Sequence, residues 1–589
     1  MDNNILSNDL LLQVRKPARY IGREWNVSKN DFDSCSVKFA LCFPDLYEVG
    51  MSNLGIRILY GILNGLPDTV CERFFSYDAD MEEVTRSNNQ EILSLESRRK
   101  LSEFDIIGFS LGSELNYTNV LRTLSLGKIP LKASERSDSS PLVIAGGPCT
   151  LNPEPVALFF DLFVIGEAEE AIQEVIGVYS QHKEKYANHA MSRKELLYAL
   201  AQIPGVYVPS FYDVSYDDAG SLREFKTNTT GIPPKIKKRI IGNFDSAYFP
   251  VKWLVPYIQI IHDRLSIEIM RGCPGRCRFC QARSCYSPLR ERKLENILRL
   301  AEEAYGLTGY EEISLAGLSV SDYSHIGELT ASLIERFKEK GVSVSLPSIK
   351  ARELVGKLSC LIASVKKTGL TFAPEAGSQR LRDLLGKDFE ETDFLSALEE
   401  IYRSGYQHIK LYFMVGLPGE RTEELNGIVE FSSRASQLRK KINKGPARIN
   451  VSINTMIPKP HTAFQWLGMA DAESIKGKQD YIKGNARKNR HLYLSFHDYN
   501  MAFLEGIFSR GDRRLAGVIY SAFQKGAKFD AWSTYFSLER WLEAFRENKI
   551  DPYSYLKQKD TDAVLPWDFI DVGISKDLFL REFKLVANA

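Results

Sequence analysis

The chain has 589 residues, with 76 Lys and Arg against 75 Asp and Glu and a formal net charge of +1, so no global field directs it to nucleic acid or to an anionic membrane. Hydrophobic residues make up 44% and charged residues 26%, the composition of a soluble globular protein, and the length exceeds what one core serves, so three or four domains are expected. No uncharged apolar run reaches about 18 residues, which excludes a membrane-spanning helix. The start, M-D-N-N-I-L-S-N-D, lacks the basic region and apolar run of a signal peptide. The 9 cysteines are odd in number and lie mostly in apolar strand-like runs. That fits a reducing cytoplasm rather than a disulfide framework.

In chain order, residues 1–34 form an N-terminal segment containing P-A-R-Y-I-G-R-E-W-N. Residues 35–185 alternate apolar strands with helix-compatible runs. The strands are V-K-F-A-L-C-F-P (37–44), D-I-I-G-F-S-L (105–111), L-V-I-A-G-G (142–147) and L-F-V-I-G (162–166), a pattern that predicts a parallel α/β sheet. Residues 186–255 read as a linker region. Lys235, Lys237, Lys238 and Arg239 follow Pro233-Pro234 there, and they read first as a solvated linker face. Residues 256–470 carry a second alternating series: S-I-E-I-M (266–270), E-I-S-L-A (312–316), V-S-V-S-L (342–346), L-T-F-A (370–373), I-K-L-Y-F-M-V (409–415) and I-N-V-S-I-N (449–454). Six β/α repeats predict a partial parallel barrel, whose chemistry belongs at the carboxyl ends of its strands. Residues 471–589 are expected to form a mostly helical, aromatic-rich domain.

After the first strand of that barrel comes R-G-C-P-G-R-C-R-F-C-Q-A, which places Cys273, Cys277 and Cys280 at C-x3-C-x2-C spacing. Three thiolates hold three irons of a 4Fe–4S cube and leave the fourth open to a substrate or cofactor. A structural zinc site is the alternative. Zinc takes four nitrogen or sulfur ligands in paired knuckles, and beyond Cys285 no second pair follows. The loop resembles that of the radical S-adenosylmethionine (SAM) superfamily. The resemblance implies that SAM chelates the open iron. It also implies that an electron from the reduced cluster, delivered by a flavodoxin- or ferredoxin-type donor, cleaves SAM to a 5′-deoxyadenosyl radical. Phe279, between two ligands, is the aromatic residue usual there.

The same resemblance implies a SAM site. Ala316 and Gly317 in A-G-L-S-V-S-D stand where the superfamily often has Gly-Gly-Glu, a departure, with Ser321 and Asp322 as further polar groups. Ser345, Ser348 and Lys350, with Arg352, end the third strand toward the ribose and carboxylate, unless that hydrophilic stretch is only a loop. Glu375 in F-A-P-E-A-G-S-Q-R-L-R faces the barrel mouth as an acid at a strand end. Its alternative role is to cap the next helix, for which Ser378 is better suited. Gly416, Pro418 and Gly419 resemble the glycine element that lets backbone approach the adenine. I-P-K-P-H-T-A-F-Q-W (457–466) resembles a stretch of radical SAM methylthiotransferases that closes the barrel.

The front α/β unit resembles a cobalamin-binding domain. Its first loop, D-L-Y-E-V-G, runs from Asp45 to Gly50, and Tyr47 replaces the histidine of the D-x-H-x-x-G signature. A neutral phenol is a poor cobalt ligand beside imidazole. Ser110 and the Gly146-Gly147 turn fit later parts of such a site, at the carboxyl ends of strands. Two readings stay open: cobalamin bound without a histidine ligand, or the fold kept without the cofactor. The order of motifs across nearly the whole chain resembles an uncharacterised family of radical SAM proteins with a cobalamin-binding domain. Some of its members carry a further carboxyl-terminal module, so a separately encoded partner protein is expected here.

The expected reaction is modification of an unactivated C–H bond, foremost cobalamin-assisted methylation, with RNA or a ribosome-related molecule as the guessed substrate. The rival is methylthio transfer. It needs a second cluster, and Cys42, Cys71 and Cys149 lie in apolar surroundings. A non-catalytic Fe–S or cobalamin sensor is the contrasting class. In the last segment, His497, Asp498, Arg510, Asp512, Arg513, Arg514, Asp530, Trp532, Trp567 and Asp568, with Lys483, Arg487, Lys488 and Arg490, admit two roles. They bind nucleic acid or a phosphorylated substrate, or they form salt-bridged helical packing.

Overall fold

The computed structural model describes residues 8–218, 220–346, 370–442 and 445–587. Ser348, Lys350 and Arg352 lie outside the described residues.

The front unit is a six-stranded sheet. Strands β1 (Val37–Phe43), β2 (Thr69–Phe75), β3 (Ile106–Ser110), β4 (Leu142–Gly146) and β5 (Leu162–Val164) run parallel, and β6 (Val206–Tyr207) lies antiparallel to β5, in the order β2-β1-β3-β4-β5-β6. The sequence reading missed β2 because Glu72 and Arg73 interrupt its apolar run. Both are buried, and Arg73 pairs with Glu24 at 2.8 Å and Glu96 at 2.6 Å. The helices Leu54–Gly65 and Ala168–Ala187 pack against each other beside the sheet.

The stretch expected as a linker is built structure. It supplies the helix Arg193–Leu200, strand β6, the hairpin β7 (Tyr212–Tyr216) with β8 (Leu222–Thr227), and β9 (Ile236–Lys237). The solvated-face reading fails at Lys238, which is buried, and at Arg239, which pairs with Glu174 at 2.6 Å.

The second unit has parallel strands β10 (Leu265–Glu268), β13 (Glu312–Ala316) and β14 (Ser343–Ser345) in one sheet. Strands β15 (Leu370–Glu375), β16 (His408–Val415), β17 (Arg448–Thr455) and β18 (Leu492–Phe496) form another. The short pair β11 (Met270–Arg271) and β12 (Arg290–Glu291) flanks the cysteine loop. β18 adds a parallel strand to the six expected: Leu492, Leu494 and Phe496 alternate with Tyr493 and Ser495, and the strand pairs with β17. Period-2 alternation is a strand signal that the helical reading of this segment passed over.

The carboxyl-terminal helices share one apolar core with the front unit, and β19 (Ile570–Asp571) pairs with β9. The packing reading holds for the charged residues there. Arg510 is fully buried and donates to the carbonyls of Leu467, Tyr555 and Lys557 at 2.5, 2.9 and 2.8 Å. Arg513 pairs with Glu154 and Arg514 with Asp512. Asp530 accepts from Thr118 and Trp541, and Trp567 donates to Gln465. Lys483, Arg487, Lys488 and Arg490 are exposed; Arg487, Lys488 and Arg490 lie between the helix Ala472–Ala486 and β18, at the amino end of the strands, whereas Lys483 sits 4.8 Å from the centre of the Phe496 ring.

Candidate active site

The cysteine loop leaves β11 through Gly272, whose φ of 92° suits glycine; a Cβ there would stand 2.7 Å from the Pro288 carbonyl oxygen. Inside the loop, the Gly275 N–H donates to Cys273 Sγ at 3.3 Å. A Cβ on Gly275 would meet Cys273 Sγ at 3.2 Å and Cys277 Sγ at 4.0 Å, so this glycine leaves the space between the two thiols open. The loop is strapped from three sides. The Arg278 N–H donates to the Leu385 carbonyl at 2.8 Å, and its guanidinium reaches the carbonyls of Asp383 and Leu384, the last turn of the helix Gln379–Leu385 that follows β15. From the P-K-P-H stretch, the His461 carbonyl accepts from Ser284 Oγ at 2.5 Å and the Pro460 carbonyl from Gln281 at 3.3 Å. The Lys238 ammonium donates to the carbonyls of Ser284, Cys285 and Ser287 at 2.6, 3.1 and 3.0 Å, completing the end of the helix Ala282–Tyr286.

Burial pushes the Cys277 thiol up to about 11, with Lys387 opposing the shift and Cys280, Glu375 and Cys273 adding to it. Burial also raises Cys280, against the N–H groups of Arg283 and Ala282. Such thiols stay protonated until a metal displaces the proton. Among the described residues no three His, Cys, Asp or Glu side chains gather tightly enough to hold one metal ion. A zinc ion needs its sulfurs about 2.3 Å from one point. A cube, bound through three separate irons, takes thiols set further apart. The donor set and its spacing fit the cube.

Glu375 ends β15 past a register shift that begins at Phe372, with φ at 70°, a strained backbone of the kind found at functional sites. Burial raises its carboxyl, and Lys387 Nζ lies 3.4 Å from Oε1. The capping alternative belongs to Ser378, which accepts from the Leu381 N–H at 3.2 Å. Sequence reasoning missed Lys387. Nothing in the chain marks it except its place after the left-handed cap Gly386.

Gly416 has φ of 82° and its N–H donates to Glu420 at 2.9 Å; Gly419, one residue past Pro418, has φ of 64° and accepts from Arg380 at 2.7 Å. Ala316 pairs with Glu268 across β13 and β10, and a Cβ on Gly317 would stand 2.7 Å from Met270 Cγ. Ser345 pairs with Ser314. The structure thus brings Cys273, Cys277, Cys280 and Glu375 together. Ala316 and Gly317 border the strand that leads into the loop, and the Gly416–Gly419 turn joins the Glu375 segment through Arg380.

A cavity of about 460 Å³ lies at the strand ends of the front sheet. Ser110, Gly146 and Gly147 line it, and Arg271, Cys285 and Tyr286 of the barrel form its far wall. Arg271 is paired with Glu169 at 2.7 Å and Glu268 at 2.9 Å, and Arg290 with Glu167 at 2.5 Å. The cavity wall is therefore tied to the strand entering Cys273. Asp45, Tyr47 and Gly50 do not line it. The Asp45 carboxylate accepts from the Leu46 N–H at 2.7 Å and from Trp532 at 3.0 Å. Tyr47 donates to Glu24 at 2.8 Å, and burial with that carboxylate keeps the phenol protonated. A Cβ on Gly50 would strike the Phe75 ring at 2.2 Å. Cys42, Cys71 and Cys149 are buried, and burial holds their thiols well above the usual range.

Residues 55–209 match the family described as radical SAM proteins, N-terminal, and residues 267–432 match the radical SAM superfamily. The uncharacterized protein MJ0966 of Methanocaldococcus jannaschii is 30% identical over 487 residues, covering 81% of this chain and 89% of its own length. The ribosomal protein uS12 methylthiotransferase RimO of Desulfotalea psychrophila is 28% identical over 180 residues, 28% of this chain and 40% of its own. Among solved structures, the radical SAM methyltransferase TsrM of Kitasatospora setae, with tryptophan and a SAM analogue bound, superposes with a TM-score of 0.51 at 12% identity. That match covers 87% of this chain and 100% of TsrM, a likeness of fold. No helix among the described residues is long and apolar enough to cross a membrane. Both halves of the chain match, one relative is shared over most of its length, and the cysteine loop sits at the carboxyl end of its strand: the chain belongs to the radical SAM superfamily, in one family with MJ0966.

Proposed function

We propose that this radical SAM enzyme methylates an unactivated C–H carbon with cobalamin as its second cofactor. The observation that carries the reading is the front cavity, which opens between the sheet's strand ends and Arg271, Cys285 and Tyr286 beside the cluster loop. Ligands of doubly wound sheets bind in this crevice. Its volume of about 460 Å³ lies within the range of small-molecule and cofactor pockets. Cluster, SAM and cobalamin when bound supply reductive SAM cleavage and a methyl carrier. The chain's own part is to hold them. Cys273, Cys277 and Cys280 ligate three irons, Glu375 and the Gly416–Gly419 turn receive SAM, and Lys387 fixes the Glu375 carboxylate while facing the thiolates. Tyr47 is committed to Glu24 and would not serve as a ligand to the cobalt of a bound cobalamin.

Methylthio transfer is the second reading, favoured by the kinship with RimO. Against it, Cys42, Cys71 and Cys149 are buried in the front unit's apolar core, where burial holds their thiols well above the usual range. A flavodoxin- or ferredoxin-type protein supplies the electron, and RNA or a ribosome-associated molecule is the proposed substrate. The anaerobically reconstituted protein, given dithionite and SAM, is expected to yield 5′-deoxyadenosine or methionine and to bind added hydroxocobalamin with a shifted visible spectrum. Binding of no cobalamin would falsify the methylase reading. For the substrate, mass spectra of RNA and ribosomal proteins from cells with and without the gene should differ. Identical profiles would turn the search to small molecules.

A further inference from the structure

The three cysteines are held one by one. Cys273 follows β11, which pairs with β12 and which Arg271 ties to the front unit through Glu169 at 2.7 Å. Cys277 precedes Arg278, whose N–H is fixed to the Leu385 carbonyl at 2.8 Å. Cys280 precedes the helix Ala282–Tyr286, whose five residues are too few to hold a helix by themselves. Lys238 secures the far end of that helix. Its first turn, the part that bears on Cys280, is pinned by Arg283.

Arg283 Nη1 donates to both carboxylate oxygens of Glu582, at 2.9 and 2.8 Å, across 299 residues of chain. The two side chains are 17% and 14% exposed, so water and salt screen this charge-assisted contact less than an ordinary surface pair. Glu582 is itself anchored. It belongs to the helix Lys576–Ala587, whose Phe579, Phe583 and Val586 are buried, with the Phe583 ring 5.4 Å from that of Trp466. Leu578 and Arg581 of the same helix line a cavity with Pro274, Gly275 and Arg276 of the cysteine loop. At the other end of the brace, the Arg283 N–H donates to the Cys280 carbonyl at 3.3 Å. Burial raises the Cys280 thiol, and the N–H groups of Arg283 and Ala282 oppose that rise. Donors near a ligating sulfur tune an iron–sulfur centre. A shift of the Arg283 side chain therefore reaches the surroundings of the third ligand.

We propose that Glu582 is a positioning residue for the cluster: through Arg283 it fixes the turn that carries Cys280 and so sets the geometry of the third iron ligand. The proposal rests on the radical SAM reading and does not depend on cobalamin. The test uses the full chain, anaerobically reconstituted, as Glu582→Ala, Arg283→Ala and the charge-swapped Arg283→Glu/Glu582→Arg. What is measured is the rate at which the ferrous chelator bathophenanthroline removes iron, and the electron paramagnetic resonance spectrum of the dithionite-reduced cluster. Both single variants should melt as the wild type does, lose iron roughly tenfold faster or more and show shifted g values. The swapped pair should return iron loss to near the wild-type rate and restore the spectrum. The proposal is overturned if either single variant keeps the wild-type rate and spectrum, or if the swapped pair restores neither. Faster iron loss with an unmoved spectrum also overturns it, because the pair then has a structural role alone. A wild type that assembles no 4Fe–4S cluster would refute the radical SAM reading and the proposal together, so the two failures are told apart.

Discussion

Replacing Lys238 by methionine should loosen the cluster loop without unfolding the protein. The ammonium donates to the carbonyls of Ser284, Cys285 and Ser287 at 2.6–3.1 Å, and it is buried, with its pKa lowered by desolvation. A hydrogen bond to a charged group contributes about 1.5–3 kcal/mol, and a buried carbonyl left without a donor costs about 1–3 kcal/mol. Methionine restores the stem's packing and none of the donors. Part of the gross sum is offset because the ammonium no longer has to be desolvated, which leaves a net loss of about 3–5 kcal/mol. The loss falls on the segment that Lys238 secures, because stability is local in a protein of several units. At about 1.4 kcal/mol per decade, amide exchange at residues 282–287 should accelerate roughly 10²- to 4 × 10³-fold, read by hydrogen–deuterium exchange mass spectrometry. Iron retained after anaerobic gel filtration should fall with it. Exchange at wild-type rates with full iron content would refute the argument that this distant lysine holds the loop.

Gly377→Ala should break the contact between the Glu375 loop and the helix Thr422–Leu438, since its Cβ would lie 2.1 Å from the Glu424 carbonyl oxygen and 2.6 Å from the Ile428 nitrogen. SAM affinity measured by equilibrium dialysis should drop at least tenfold, and unchanged affinity would contradict the packing. Tyr47→Phe removes the donor to Glu24 and should cost about 1–3 kcal/mol in denaturant unfolding, with cobalamin affinity within twofold of wild type. A large loss of cobalamin binding would restore Tyr47 to the cofactor site. Burial lowers the His461 imidazole to about 4, beneath its unfolded value of about 6.5. Between those values the unfolded chain binds more protons, so a contribution of about 3 kcal/mol present above pH about 6.5 is lost as pH falls toward about 4. Limited proteolysis of the apoprotein should therefore speed up at acid pH less in His461→Gln than in wild type, and equal acid sensitivity would count against it.

Some of this protein is written locally in its chain. The C-x3-C-x2-C spacing, the continuous apolar runs of β1 and β3, the period-2 runs of β10, β13 and β16, and an acid at the end of β15 are short-range patterns. Each reflects one element's own periodicity or one loop's ligand chemistry. Elements whose local signal conflicts with their surroundings were not legible. β2 carries Glu72 and Arg73 through the core because Glu24 and Glu96, far along the chain, neutralise the arginine. β18 is short and sits inside a helical stretch.

The site divides the same way. Cys273, Cys277 and Cys280 name themselves as ligands. Lys238 and Lys387 are ordinary lysines until folding sets one on three carbonyls and the other beside Glu375 and Cys277. Tyr47 occupies a position that a motif made suggestive, and the tertiary structure turned it toward Glu24. The cavity that joins Gly146 to Tyr286, and the pair that joins Arg283 to Glu582, have no sequence signature. Spacing records what neighbours in the chain do together, whereas cavities and charge balance depend on which distant segments meet.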